Sequence, residues 1–395
     1  MRTLLLAAAL LIAAPASAAD FDQTDLFEAK VGGYSLYRIP GVVVTAKGSV
    51  IVYCEARKTG GSDWGHIDLL ARRSADRSKT FGPPVQLPTV PGPHRKNPVA
   101  AAQKLGKEGE VTYNNPVMIA DRDGTVHLLF CVEYMRCFYC RSTDDGQTWS
   151  APREITAAFD AFRPEFDWKV LATGPGHGVQ LKGGRLVVPV WLSTGTGGHA
   201  HRPSVTSTIV SDDGGATWKR GDVAVPNTAE WVNPNEATVA ELPDGRVMLN
   251  ARSESKTNRR LVTISPDGAT KWSPPALDDA LVEPICFGSL VTTTGPRPLV
   301  VFSHPNTLEA TGKKASPGSG RDRKNVSLQA SADGGKTWGK ARTVEAGWSA
   351  YSDLAPAPDG GVYLFYERAR MEGATENRYG RLTLARIPAA WLRGA

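Results

Sequence analysis

Six times along the chain a glycine turn leads straight into a short apolar run: AKGSVIVYCEAR, DRDGTVHLLFCVE, KGGRLVVPVW, LPDGRVMLNAR, TTGPRPLVVFS and PDGGVYLFYE. Apolar residues in these runs either alternate with polar ones or stand in short blocks rich in Val, Leu and Tyr. Bounded by Gly, Pro and Asp, they read as β-strands. No stretch carries the apolar spacing of a long amphipathic helix. The turn glycines Gly48, Gly124, Gly184, Gly245, Gly295 and Gly361 are separated by 76, 60, 61, 50 and 66 residues, which makes six units. A second repeat, SxDxGxTW, falls between them: STDDGQTW from Ser142, SDDGGATW from Ser211 and SADGGKTW from Ser331, with degraded copies SADRSKTF from Ser74 and SPDGATKW from Ser265. The Asp carboxylate suits nearby backbone N–H groups, the Gly takes positive φ, and the Trp plugs the turn. These octets are expected to be structural hairpins between the outer strands of successive blades.

A unit of about 60 residues with four short strands has the size of one propeller blade, and radial repetition hides sheet edges. The predicted fold is therefore all-β, a six-bladed β-propeller of four-stranded antiparallel sheets. A β-sandwich or a β-helix is the alternative all-β architecture.

The opening MRTLLLAAALLIAAPASAAD has one positive charge, an apolar run and a small-residue site ending at Ala18, the pattern of a cleaved signal peptide. The expected organisation is a signal peptide over residues 1–18 and a catalytic propeller over 19–395, secreted or periplasmic, with no membrane span. No lectin-like extension is expected beside the propeller. A formal net charge of +6 mildly favours anionic substrates, but no Lys/Arg run with interleaved aromatics suggests nucleic acid. Five cysteines, Cys54, Cys131, Cys137, Cys140 and Cys286, allow at most two pairs. CFYC has CxxC spacing, but no second pair completes a zinc site, and strand alternation explains it better.

Charge beside strand ends is where chemistry is expected. Arg38 lies in YRIP, Arg57 and Asp63 in EARKTGGSDWGHID, Glu236 and Arg252 in the NE to NAR stretch, and Arg323 in RDRKNVSLQ. Tyr351 in AYSDL and Glu367 in FYE complete the set. Three guanidiniums from separate blades around one point make sense for a strongly bound anion, since each offers a planar fork of donors to a carboxylate. Arg321, two residues before Arg323, is the alternative third arginine. His177 in GPGHG and His199 and His201 in HAHRPS stand in a Gly-rich context that suits pocket-lining loops better than metal ligation.

YRIP near the start, the Asp boxes, the NE to NAR unit and a late YS before a final YE together resemble the bacterial exo-α-sialidases, over nearly the whole chain after the leader. The resemblance implies that Arg38, Arg252 and Arg323 grip a substrate carboxylate and that Asp63 is the acid/base. It makes Tyr351 the nucleophile, Glu236 the carboxylate that activates it, Glu367 the residue that orients Arg38, and Arg57 part of the pocket near the sugar's N-acyl or 4-hydroxyl side. It implies retaining hydrolysis of terminal α-linked sialic acid from glycoconjugates, with no metal or organic cofactor. The same frame fits another 2-keto acid sugar such as Kdn or Kdo, glycosyl transfer, or a non-catalytic sialic-acid-binding propeller. Ser78 and Phe81 replace the usual Gly and Trp in the first box, which weakens that box and not the site.

Overall fold

The computed structural model describes residues 21–312, 314–373 and 379–394. The signal-peptide segment, residues 1–18, lies outside the described residues. Among the described residues, the chain is strand after strand with three one-turn helices, and no helix is long and apolar enough to cross a membrane.

Five hydrogen-bonded sheets follow one another. The first is the antiparallel meander Leu36–Val44, Val50–Arg57, Ile67–Ser74 and Val85–Gln86. The second is Tyr113–Ala120, Val126–Val132, Arg136–Ser142 and Arg153–Glu154, with Gly176–His177 added in parallel on Tyr113–Ala120. The third is Val170–Thr173, Leu186–Ser193, Ser204–Ser211 and Lys219–Arg220, and the fourth is Ala237–Glu241, Val247–Ala251, Arg259–Ser265 and Ala276–Val282. The last sheet has seven strands because one long strand, Arg342–Pro356, ends one meander with its first half and begins the next with its second. Asp22–Glu28, from the start of the described chain, pairs with Tyr379–Ile387 at its edge and ties the two chain ends together.

The apolar runs make sense once packing is considered. Val50–Arg57, Val126–Val132, Leu186–Ser193 and Val247–Ala251 are buried at every residue, because each lies in a sheet covered on both faces. Six of the core clusters each join two successive meanders. Ile51, Tyr53 and Leu69 of the first sheet meet Met118, Leu128 and Phe130 of the second. The final meander, through Tyr363, Phe365 and Leu384, packs against Val42, Val50 and Val52 of the first.

The octets are hairpins, but not where the sequence suggested. Each joins the third to the fourth strand of the same sheet instead of linking successive units, because Ser74, Ser142, Ser211, Ser265 and Ser331 each end a third strand. In the Ser142 copy the hydroxyl donates to Asp144 Oδ1 at 2.7 Å and accepts from the Gly146 N–H at 2.8 Å. Asp144 also accepts from the Thr148 N–H at 2.9 Å and its hydroxyl at 2.6 Å. The glycine is required twice over: Gly146 has φ 79°, and a Cβ there would lie 2.4 Å from Ile51 Cδ1 of the preceding sheet. The degraded first copy puts Ser78 at φ 70° and keeps the same Asp76 bonds.

All five cysteines are buried and none forms a disulfide. CFYC lies in the strand Arg136–Ser142, where Cys137 and Cys140 face different core clusters and so cannot share a metal ion.

Candidate active site

Three of the meanders' first strands do not run straight into their sheets. Their pairing slips between Arg38 and Gly41, between Asn114 and Val117, and between Ser349 and Ser352. Ile39 and Asn115 take positive φ at 59° and 51° within these bulges. Bulges re-aim side chains, and here Arg38, Asn115 and Tyr351 come to line one cavity of about 580 Å³ with Asp63, Glu236, Arg252 and Arg323.

Tyr351 is the hub. Its hydroxyl donates to Glu236, whose two oxygens both lie at 2.7 Å, and accepts from Arg252 Nη1 at 2.8 Å. Arg252 also pairs with Glu236, giving this largely buried carboxylate a cation partner. The guanidinium carbons of Arg38 and Arg323 stand 5.0 and 5.3 Å from the centre of the Tyr351 ring. Burial, then the Glu236 carboxylate, pushes the phenol far above its ordinary pKa, against the pull of the three arginines. Tyr351 is thus a neutral phenol at working pH.

Glu367 is fully buried and makes a fork with Arg38, Nε to Oε1 at 3.0 Å and Nη2 to Oε2 at 3.3 Å. It also accepts the backbone N–H groups of Ile39 and Tyr351, so one carboxylate fixes both bulged strands. Arg323 has another kind of anchor: its Nη2 donates to the Ile285 carbonyl at 2.8 Å. Arg321 lines the same cavity but is partly exposed at its mouth, whereas Arg323 is buried below it.

Asp63 comes from the loop after Val50–Arg57 and keeps 43% of its side chain exposed. Arg57 Nη1 holds it at 2.8 Å, and Arg38 Nη1 is 4.0 Å away. Desolvation opposes ionisation, but these two cations prevail and hold the carboxyl well below the usual range. Arg57 is itself buried and clamped by the fully buried Glu55, at 2.6 Å from Nη2 and 3.1 Å from Nε. It does not line the cavity; it reaches the site through Asp63.

Six of the eight predicted residues line the cavity; Arg57, expected to line it, and Glu367 stand behind it, against Asp63 and Arg38. Several others there went unpredicted: Asn115, Tyr134, Trp191, Trp348 and Arg370 line the cavity, and Glu55 supports Arg57. Asn115 had a legible signal in YNNPV, an Asn-Pro at the start of an apolar strand. Its N–H donates to Glu55, its carbonyl accepts from Thr173, and its side-chain oxygen accepts from Asn114. The histidines divide. His201 packs against Trp64, Tyr134 and Trp191 in the cavity wall, where burial lowers its pKa to about 4. His177 lines a different cavity, at the other ends of the first strands. Among the described residues no group of three or more His, Cys, Asp or Glu side chains could hold a metal ion.

An all-β chain of repeated meanders, with an arginine-rich cavity where its first strands begin, defines a recognisable class. Residues 94–364 match the BNR repeat-like domain family, and the chain belongs to it. It is 27% identical to a sialidase of Micromonospora viridifaciens over 92% of this chain and 53% of that protein. With a sialidase of Bacteroides fragilis it shares 30% identity over 76% of this chain and 54% of that one. The chain thus spans about half the length of these relatives. Among solved structures, the Hadza microbial sialidase Hz136 aligns with a TM-score of 0.72 at 25% identity, covering 92% of this chain and 68% of that one. The intramolecular trans-sialidase from Ruminococcus gnavus aligns at 0.71 and 18% identity over 93% and 98%, a likeness of fold.

Proposed function

We propose that the chain is a six-bladed β-propeller and a retaining exo-α-sialidase that removes terminal sialic acid from glycoconjugates, exported by its leader. The blade count is supported by the long shared strand and by core clusters that run from each meander to the next and from the last back to the first. The observation that carries the activity is the Tyr351 hydroxyl held between Glu236 and Arg252 beside two further arginines.

A sialoside bears its carboxylate on the carbon under attack. Arg38, Arg252 and Arg323 bind that carboxylate by charge-assisted hydrogen bonds and set the anomeric carbon over Tyr351. A carboxylate nucleophile would approach this carbon against charge repulsion, whereas a phenol stays neutral until it is used. As the Tyr351 oxygen bonds to the anomeric carbon, its proton passes to Glu236. Asp63 gives a proton to the departing glycosidic oxygen, and afterwards takes one from the water that cleaves the tyrosyl intermediate, while Glu236 returns its proton to the leaving Tyr351 oxygen. Two inversions give retention.

Asp63 starts ionised, so the acid role needs a change on binding. Loading an anion onto Arg38 weakens one of the two cations that hold Asp63 down, and the sugar removes water from its exposed edge. Both effects raise its pKa. Glu367 keeps Arg38 in place throughout.

The test is hydrolysis of 4-methylumbelliferyl N-acetylneuraminic acid followed by proton NMR in the first minutes. The α anomer is expected first, before mutarotation. The β anomer as first product would exclude double displacement, and no turnover would leave a binding propeller.

A further inference from the structure

Arg321 has no place in the chemistry above, yet it lines the same cavity. Its guanidinium is held in position only by neutral acceptors: Nη1 donates to the Ser319 carbonyl at 2.7 Å and to its hydroxyl at 2.6 Å, and Nη2 donates to the Ser316 carbonyl at 3.0 Å. Its backbone N–H is tied to the Pro284 carbonyl at 3.1 Å. The nearest acid in sequence, Asp322, is occupied elsewhere, with Lys324 Nζ at 3.0 Å and the Thr311 N–H and hydroxyl. Among the described residues no carboxylate makes an ion pair with Arg321. A fixed, uncompensated cation at the mouth of a cavity is a site for an anion.

Which anion follows from the connectivity of the substrate. The carboxylate and the aglycone oxygen share one carbon. An exo-acting site holds the terminal sugar inside the cavity, so the aglycone leaves through its opening, where the partly exposed Arg321 stands among the lining residues.

We propose that Arg321 selects sialosides whose aglycone carries a negative charge next to the scissile bond: the carboxylate of a second sialic acid, or a sulfate ester on the penultimate sugar. The inference rests on the sialidase reading and names its preferred substrate class. Arg321 acts on the leaving side, so it contributes to binding the anionic aglycone and not to the bond-breaking itself.

The experiment compares kcat/KM of the full chain on α2,8-linked disialyllactose, 6′-sulfated 3′-sialyllactose and neutral 3′-sialyllactose, for wild type, Arg321→Gln and Arg321→Lys. The readout is the anionic-to-neutral ratio, in which any general effect of the substitution cancels. The ratio is expected to exceed one for wild type, to fall about tenfold in Arg321→Gln, as losing one charge-assisted contact implies, and to be largely restored by Lys. It should also fall as salt is raised. A high ratio for disialyllactose alone identifies the carboxylate, and one for the sulfated substrate alone identifies the sulfate. A wild-type ratio at or below one for both, or a ratio unchanged in Arg321→Gln, overturns the proposal. No turnover of any of the three overturns the sialidase reading and this proposal with it.

Discussion

The two ends of the same first strands have opposite chemistry. Where they begin, Arg38, Asn115, Glu236 and Tyr351 surround a cavity of about 580 Å³. Where they end, Val42, Ile119, Val239, Leu290 and Leu354 surround another of about 670 Å³, whose charged residues Arg122, Lys182 and Glu241 are at least partly exposed. Size does not separate a site from a void here. Backbone regularity does: pairing slips at the beginning of three of these strands and stays in register toward their ends. Regular pairing returns apolar side chains to the centre every second residue, and in Leu36–Val44 and Arg342–Pro356 a bulge turns Arg38 and Tyr351 there instead. The positive-φ residues Ile39 and Asn115 thus lie at the polar end.

If the polar end is the catalytic one, its lesions should cost rate, and the greatest loss should come from Tyr351→Phe. The ring and its arginine contacts survive, while the oxygen held by Glu236 does not. A fall in kcat of roughly 10³-fold or more is expected, with affinity for 2-deoxy-2,3-didehydro-N-acetylneuraminic acid kept. Near-normal turnover in this variant would break the contrast at once. Next in size, Ala at Arg38, Arg252 or Arg323 should weaken that inhibitor by about 2 kcal/mol or more, about 30-fold, measured by titration. Unchanged binding in any one would remove that residue from the carboxylate site.

Arg57 sharpens the contrast, because it serves both fold and rate. Arg57→Gln leaves Glu55 buried without its cation, and a stability loss of about 3 kcal/mol is expected in urea, smaller in the double variant with Glu55→Gln. The same change removes the nearest cation from Asp63. Its carboxyl pKa then rises, in the substrate complex as in the free protein, more of it is protonated at a given pH, and the high-pH fall of kcat should move to higher pH. A limb that stays in place would mean that Asp63 is not the acid or that Arg57 does not set it.

How much of this was legible beforehand depends on what kind of contact each feature makes. The strands, their repeat and the octets are local, and they show in the spacing of Val, Leu, Gly and Asp. The eight site residues could be named because their motifs flank strand ends; six of them line the cavity, and Arg57 and Glu367 stand behind it. The place of the octets was misread because an Asp-Gly turn states its own geometry but not which strands it joins; that is fixed by the contact of Gly146 with Ile51, 95 residues away in the chain (146 − 51). Asn115 and Glu55 were missed for a related reason. Their roles depend on Glu55 Oε1 accepting the Asn115 N–H across two sheets, and no local pattern records that bond.

The smallest effect is expected at the apolar end, and it tests whether the two ends are independent. His177 is the one histidine there. Its Nδ1 lies 2.8 Å from Oδ1 of the fully buried Asp353, which also accepts the Ser289 hydroxyl at 2.7 Å and the Val42 N–H at 2.9 Å. This is a knot that ties three of the first strands together, and two of its donors remain when the imidazole is removed. His177→Ala should therefore cost about 1–3 kcal/mol of stability, the range for a buried polar group that loses one partner. Because His177 and Tyr351 line separate cavities, kcat/KM of the folded fraction should stay within about twofold of wild type, as for sites with no shared partner. The strand that carries Asp353 also carries Tyr351, two residues earlier, so the separation is not guaranteed by distance along the chain. It depends on the bulge between Ser349 and Ser352, which isolates the register of the site from that of the strand below it. A tenfold or greater loss of kcat/KM in His177→Ala, with folding intact by circular dichroism, would show that the bulge transmits the lesion and that the two ends work as one.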